Sequence, residues 1–250
     1  MSAIVHTADT MSAAMQHAWT ALPASITGDQ VYEGIYSAAP KTVAKAPALI
    51  FVHGSGGLNP NIKKFQIWLA AEQGIASICA DSFQLPDRMT YSSPIPREDY
   101  EKIHSLRSSE LTAAVAFLQM QPWFDGRFVI AGTSEDAVAV ARYVPAQAAV
   151  REKGRIIFSW SGEDNYHVVS HKTAVPNDLP VLNIMSATDK YFSTANSYIG
   201  NEQAAGHCAK ALADNPNASI VLIPKAPHTL MNVPQAREAV EGFLKDRLLK

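Results

Sequence analysis

The sequence predicts a single α/β domain with a mostly parallel central sheet flanked by helices. Three observations carry that expectation. Short apolar runs alternate with stretches of helical periodicity through most of the 250 residues. The runs are continuously apolar, the pattern of strands covered on both faces. Gly, Pro and small polar residues punctuate the changes between the two periods. Strand-helix alternation of this kind builds a sheet wrapped on both sides. A length of 250 residues suits one such unit, residues 1–250, better than two small domains.

Residues 1–29 offer the weakest pattern and stand as an N-terminal extension of uncertain structure. Residues 30–36 alternate like an edge strand. Residues 48–53 (Ala-Leu-Ile-Phe-Val-His) form the first fully apolar run. Residues 61–73 then show helical spacing through Ile62, Phe65, Leu69 and Ala70, closed by Gly74. Residues 75–80 are the next buried strand, followed by a polar, Pro-containing loop over 81–96. A long helix is expected over 98–121, with Ile103, Leu111, Ala114, Val115 and Leu118 inward. Further strands are expected at 128–131, 155–160, 180–185 and 219–223. Helical patterning marks 137–144, 195–214 and 234–249.

Composition narrows the function classes. The net charge is −2 and charge signs are interspersed, so no basic footprint points to nucleic acid or an anionic membrane. No apolar run approaches the ~20 residues of a membrane-spanning helix. The N-terminus has no basic start and no apolar core of a secretory signal, so a cytoplasmic location is the expectation. The two cysteines, Cys79 and Cys208, lie in apolar or helical patterns and are expected as buried free thiols.

Four segments carry candidate chemistry. Phe128-Val129-Ile130-Ala131-Gly132-Thr133-Ser134-Glu135-Asp136-Ala137 reads as strand, tight turn and helix with Ser134 at the apex. Such a turn lifts a serine hydroxyl above the sheet edge and aims the first helical N–H groups at it. The competing role is a plain helix N-cap. His53-Gly54-Ser55-Gly56-Gly57 ends a buried strand in a Gly-rich turn. It matches two glycines of a dinucleotide turn, but Asn59 occupies the third position. Asp189 and His228 each follow a buried strand after a short loop. In open α/β sheets the ligand crevice lies beyond the carboxyl ends of strands, where Ser134, Asp189 and His228 would converge.

This pattern resembles the dienelactone hydrolase branch of the α/β-hydrolases, from about Ala48 onward. Ala80-Asp81-Ser82-Phe83 with Arg88 is similar to that branch's post-strand segment. Arg107-Ser108-Ser109-Glu110-Leu111-Thr112-Ala113-Ala114, then Phe117-Leu118 and Gln121-Pro122, is similar to its following helix. Two departures stand out: serine replaces the cysteine nucleophile of the founding enzymes, and Asp136 replaces a small residue after the turn.

The resemblance implies an α/β-hydrolase fold with a minimal lid and a triad in the chain order Ser134, Asp189, His228. His228 would act as base, Asp189 would fix its tautomer, and the backbone N–H groups of Glu135 and Ser55 would form the oxyanion hole. The implied reaction is cleavage of a small ester, thioester or lactone without cofactor or metal, with no nucleic-acid or membrane partner. Gly54, Gly56, Arg88, Trp160 and Phe192 are the substrate-binding candidates. Arg88 and Arg107 would either hold a substrate carboxylate or serve structure. Asp164 is a second candidate for the acid. His167 and His171 have the helical i, i+4 spacing of zinc peptidases, but the Glu of that motif is missing. Asp136 is expected to point into the tight gap between strand and helix and to overpack it. A catalytically impaired or binding-only protein is therefore one alternative, and a lyase or perhydrolase on the same scaffold another.

Overall fold

The structure, a computed structural model, describes residues 3–147 and 149–250. Its strands are β1 (Trp19–Leu22), β2 (Tyr32–Ile35), β3 (Ala46–Val52), β4 (Ala76–Cys79), β5 (Phe124–Thr133), β6 (Arg155–Phe158), β7 (Val181–Ser186) and β8 (Ala218–Ile223). Among the described residues these eight strands form one sheet in the order β2-β1-β4-β3-β5-β6-β7-β8. From β4 through β8 every neighbouring pair is parallel; β1 runs antiparallel to both β2 and β4. The helices are α1 (Ala8–Gln16), the single turn α2 (Ala24–Thr27), α3 (Pro60–Glu72), α4 (Arg97–Gln119), α5 (Glu135–Arg142) and α6 (Pro234–Leu248).

Alternation within the strands divides the core. Leu49, Phe51, Val129, Ala131, Ile156, Phe158, Leu182 and Ile184 face α3 and α6, meeting Phe65, Leu69, Val240 and Leu244. Ile50, Val52, Phe128, Ile130, Ile157, Val181 and Met185 face the other layer, with Leu111, Leu118 and Val138 of α4 and α5. Each such Leu, Ile or Phe contributes about 1.5–3 kcal/mol by leaving water. Helix ends follow local chemistry. Asn59 Oδ1 accepts the N–H groups of Asn61 and Ile62 at 3.0 and 3.2 Å, and Pro60 opens α3.

Register aligns the functional ends. Val52 lies opposite Gly132, Thr133 opposite Phe158, Phe158 opposite Ile184, and Ser186 opposite Ile223. The residues that follow β3, β5, β7 and β8 therefore emerge along one edge of the sheet.

Two expectations change. The stretch of uncertain structure takes a definite form over residues 3–29: α1 is closed by a Thr7–Thr10 capping box, and β1 joins the sheet against β4. Residues 195–214 do not form a helix but a chain of turns. Gly200 and Gly206 there adopt φ of 69° and 78°. Side-chain acceptors take the backbone donors a helix would need: Asn201 Oδ1 binds Gln203 N–H, Glu163 binds the N–H groups of Ala205 and Gly206, and Asn183 Oδ1 binds Cys208 N–H. Cys79 and Cys208 are both buried free thiols, as expected.

Candidate active site

Ser134 joins β5 to α5 with φ 59° and ψ −117°, a region an L-residue occupies only under constraint. Its N–H donates to Phe158 O at 3.0 Å, which ties the apex to β6. The turn is possible because Gly132 lacks a Cβ: one there would lie 2.7 Å from Asp136 O, 2.8 Å from Val140 Cγ2 and 2.9 Å from Val52 Cγ2. Gly54 also passes close, since its Cβ would approach Thr133 O to 3.1 Å and Ser134 Cβ to 3.3 Å. The loop after β3 is thus pressed against the serine. As the first residue of α5, Glu135 has no helical acceptor for its N–H. Among the described residues no acceptor is found for the N–H groups of Glu135 or Ser55.

His228 and Asp189 meet beyond β7 and β8, with His228 Nδ1 2.7 Å from Asp189 Oδ2. The other carboxylate oxygen accepts the N–H groups of Tyr191 at 2.8 Å and Phe192 at 3.0 Å. Burial opposes ionisation of Asp189, but these bonds and the His228 charge outweigh it and hold the carboxyl below its ordinary range. His228 Nε2 has no protein partner. Ser134 and His228 line the same cavity of about 330 Å³, along with Gly54, Ser55, Gly56 and Phe192. Ser134 Oγ and His228 Nε2 are not hydrogen-bonded; such contacts often tighten only with substrate bound.

Beneath the serine lies a buried ionic cluster. Arg107 Nε reaches both oxygens of Asp136 at 2.6 and 2.7 Å; its Nη1 donates to Glu110 and its Nη2 to His53 O at 3.0 Å. Arg88 Nε donates to Ser82 Oγ at 2.7 Å and its Nη2 to Glu135 at 2.8 Å, while Tyr91 OH donates to the second oxygen of Glu135 at 2.6 Å. Glu110 also accepts Ser82 Oγ and faces His6 Nε2, each at 2.7 Å. Burial alone would raise Glu110, but Arg107 and its hydrogen bonds bring it down to about 2. Three carboxylates share two guanidiniums, and burial pushes Asp136 up to about 7 despite Arg107. His53 Nε2 accepts Ser82 N–H at 3.2 Å, and its Nδ1 lies 2.8 Å from Gly54 O, a proton on Nδ1 being required. Burial, then the Arg107 charge, lowers its pKa to about 3, so the ring is neutral. The cluster clamps both the helix after Ser134 and the loop bearing Ser55.

Several expectations are corrected here. Arg88 and Arg107 do not face the cavity; both are buried in ion pairs. Trp160 is wholly buried and lines no part of the cavity, because it packs into the core behind the strand ends. Asp136 does not overpack the strand-helix gap: its backbone carbonyl faces Gly132, and its carboxylate turns to Arg107. Asp164 is exposed and pairs with His171 Nδ1 at 2.9 Å, away from His228. Residues 167–171 are not helical, so the i, i+4 histidine geometry is absent. Among the described residues no group of three or more His, Cys, Asp or Glu is arranged to hold a metal. No helix of the described residues is long and apolar enough to cross a membrane.

The sequence did not point to Tyr91, Ser93, Tyr166 or Tyr191, which also line the cavity, and it marked His167 only for its spacing to His171. They stand on loops, where no periodicity distinguishes an inward residue; only the Tyr-rich composition of 91–100 and 191–198 hinted at packing.

No protein-family model and no curated protein sequence matches the chain. Its structure is similar to Est1E from Butyrivibrio proteoclasticus, with TM-score 0.59, 16% identity and coverage of 93% of this chain and 94% of that one. It is similar to XC6422 from Xanthomonas campestris, an α/β serine hydrolase without a lid (TM-score 0.57, 16% identity, 93% and 89% covered). It is also similar to a dienelactone hydrolase-like promiscuous phosphotriesterase from metagenomic libraries (TM-score 0.55, 14% identity, 82% and 88% covered). The chain has the α/β-hydrolase fold. Within that fold it shares the architecture of the dienelactone hydrolase-like structures.

Proposed function

We propose that this chain is a serine hydrolase that cleaves a small ester, thioester or lactone through an acyl-enzyme. One observation carries the reading: His228, held by Asp189 at 2.7 Å and with its Nε2 unpartnered, lines the same cavity as Ser134 on its strained turn. In this reading neutral His228 takes the Ser134 proton as Oγ attacks the carbonyl. Asp189 fixes the Nδ1–H tautomer and stabilises the imidazolium. The oxyanion is received by the N–H groups of Glu135 and Ser55, for which no internal acceptor is found among the described residues. His228 then returns the proton to the leaving group, and water releases the acyl group by the reverse path.

The fold similarity to esterases supports the reaction class, and the pairing of Asp136 with Arg107 speaks against an overpacked turn. The test is labelling with a fluorophosphonate, followed by peptide mapping and turnover of short-chain esters. Label on Ser134 with turnover supports the reading; label on another serine, or none with no turnover, rejects it.

A further inference from the structure

Ser134 follows β5, whereas His228 follows β8, three places further along the sheet. The loop after β8 folds back across the ends of β7 and β6 to bring its imidazole to the cavity. Its backbone is stiff: Pro224 and Pro227 fix their own φ, and Lys225 between them has φ 55°. Two buried serines take hold of its carbonyls. Ser186, the last residue of β7, donates its hydroxyl to Ala226 O at 2.7 Å. Ser159, the first residue after β6, donates its hydroxyl to the carbonyl of His228 itself.

Ser159 stands at a joint between the two halves of the site. The carbonyl of the residue before it, Phe158, accepts the Ser134 N–H at 3.0 Å. Its own N–H donates to Ile184 O at 3.0 Å, which locks it to β7. One dipeptide at the end of β6 thus grips the backbone of Ser134 on one side and that of His228 on the other. Ser159 has φ 53°, a left-handed conformation that is costly for any residue but glycine. It is wholly buried and lines no part of the cavity. Glycine would relax this backbone, but it would lack the hydroxyl that reaches His228 O.

We propose that Ser159 is a positioning residue: anchored on the strand end that also holds Ser134, its hydroxyl sets the distance from His228 to the nucleophile. The inference rests on the hydrolase reading above. Asp189 orients the imidazole through Nδ1, whereas Ser159 fixes the backbone from which the ring projects. Losing the hydroxyl shifts the ring without removing any group that meets substrate. A misplacement of about 1 Å between reacting groups costs on the order of a hundredfold in rate.

The experiment compares wild type, Ser159→Ala and Ser159→Gly on one short-chain ester, reading kcat, KM and melting temperature. Both variants are expected to lose kcat by a similar factor, about 10- to 100-fold, with KM within about threefold of wild type. The glycine variant is expected to melt about 2–4 °C above the alanine variant, because it relieves the strained φ. Activity and stability then part, which a purely structural serine would not produce. A glycine variant with wild-type kcat overturns the proposal, since a relaxed backbone would be enough. A raised KM with unchanged kcat also overturns it, since the hydroxyl would then serve substrate binding. Failure of both variants to fold overturns it by making Ser159 a residue of the fold alone. If wild type neither turns over esters nor takes fluorophosphonate on Ser134, the hydrolase reading falls and this inference with it. An active, labelled wild type with unimpaired variants sinks this inference alone.

Discussion

Arg107 holds both carboxylate oxygens of Asp136 from beneath the turn that carries Ser134, with Nε–O distances of 2.6 and 2.7 Å. The pair is wholly buried, and the same guanidinium also binds Glu110 and the backbone oxygen of His53. Helix α5, helix α4 and the loop after β3 are thereby joined at one point.

Asp136→Gly is expected to destabilise the protein by about 3 kcal/mol, because it strips a buried cation of its bidentate partner. Glu110 stays in place, which keeps the loss at the lower end. Chemical denaturation with an unchanged m-value checks it. Adding Arg107→Met to Asp136→Gly is expected to deepen the loss, since buried Glu110 and His53 O then lose the guanidinium that holds them.

Ser134→Ala is expected to abolish turnover and labelling while leaving the fold intact. Ser134→Gly is expected to melt higher than Ser134→Ala, by about 1 kcal/mol at the transition, because only glycine adopts φ 59° with ψ −117° without strain. Identical melting of the two variants would show that the turn is relaxed in solution.

Asp189→Asn is expected to lower kcat by about 10⁴-fold, since an amide favours the wrong imidazole tautomer. Asp164→Asn is expected to leave kcat within about twofold, as its partner is the surface residue His171. The two variants are assayed side by side on the same ester.

Stability is expected to rise as pH increases from about 4 to 7. Burial lowers the pKa values of His53, to about 3, and of His104 and His167. A group depressed in the folded state contributes fully above its unfolded value, 6.5 for imidazole, and loses that contribution as pH falls toward the folded one. Asp136, raised by burial to about 7, acts in the opposite sense between 3.8 and 7. Three imidazoles against one carboxyl leave the net slope positive. Melting temperatures across this range check the sign, and a flat or falling profile would contradict the burial of these rings.

The sheet and the ends of its strands were legible because buried parallel strands write continuous apolar runs, and Ser134, Asp189 and His228 each follow one. β1 was missed because Trp19–Leu22 is short and lies outside the strand-helix alternation. The stretch 195–214 has helical patterning in its sequence, whereas Gly200, Gly206 and acceptors from distant segments decide the backbone. Asp136 was misread for a related reason. Its partner lies 29 residues earlier on another helix, and no local period records such a pairing. The tyrosines around the cavity were illegible for the same cause, since Tyr91, Tyr166 and Tyr191 converge from three separate loops.

The position of β8 has a kinetic consequence. It is the margin of the sheet, held on one side by β7 alone, with Leu222 45% exposed, whereas β5 sits between β3 and β6. The segment delivering His228 therefore hangs from an edge rung, and the one delivering Ser134 from a rung locked on both sides. Under heat or denaturant the margin opens before the centre does. Imidazole and serine would part company while most of the ladder still stands, so inactivation would run ahead of melting and reverse on cooling without the chain ever having unfolded.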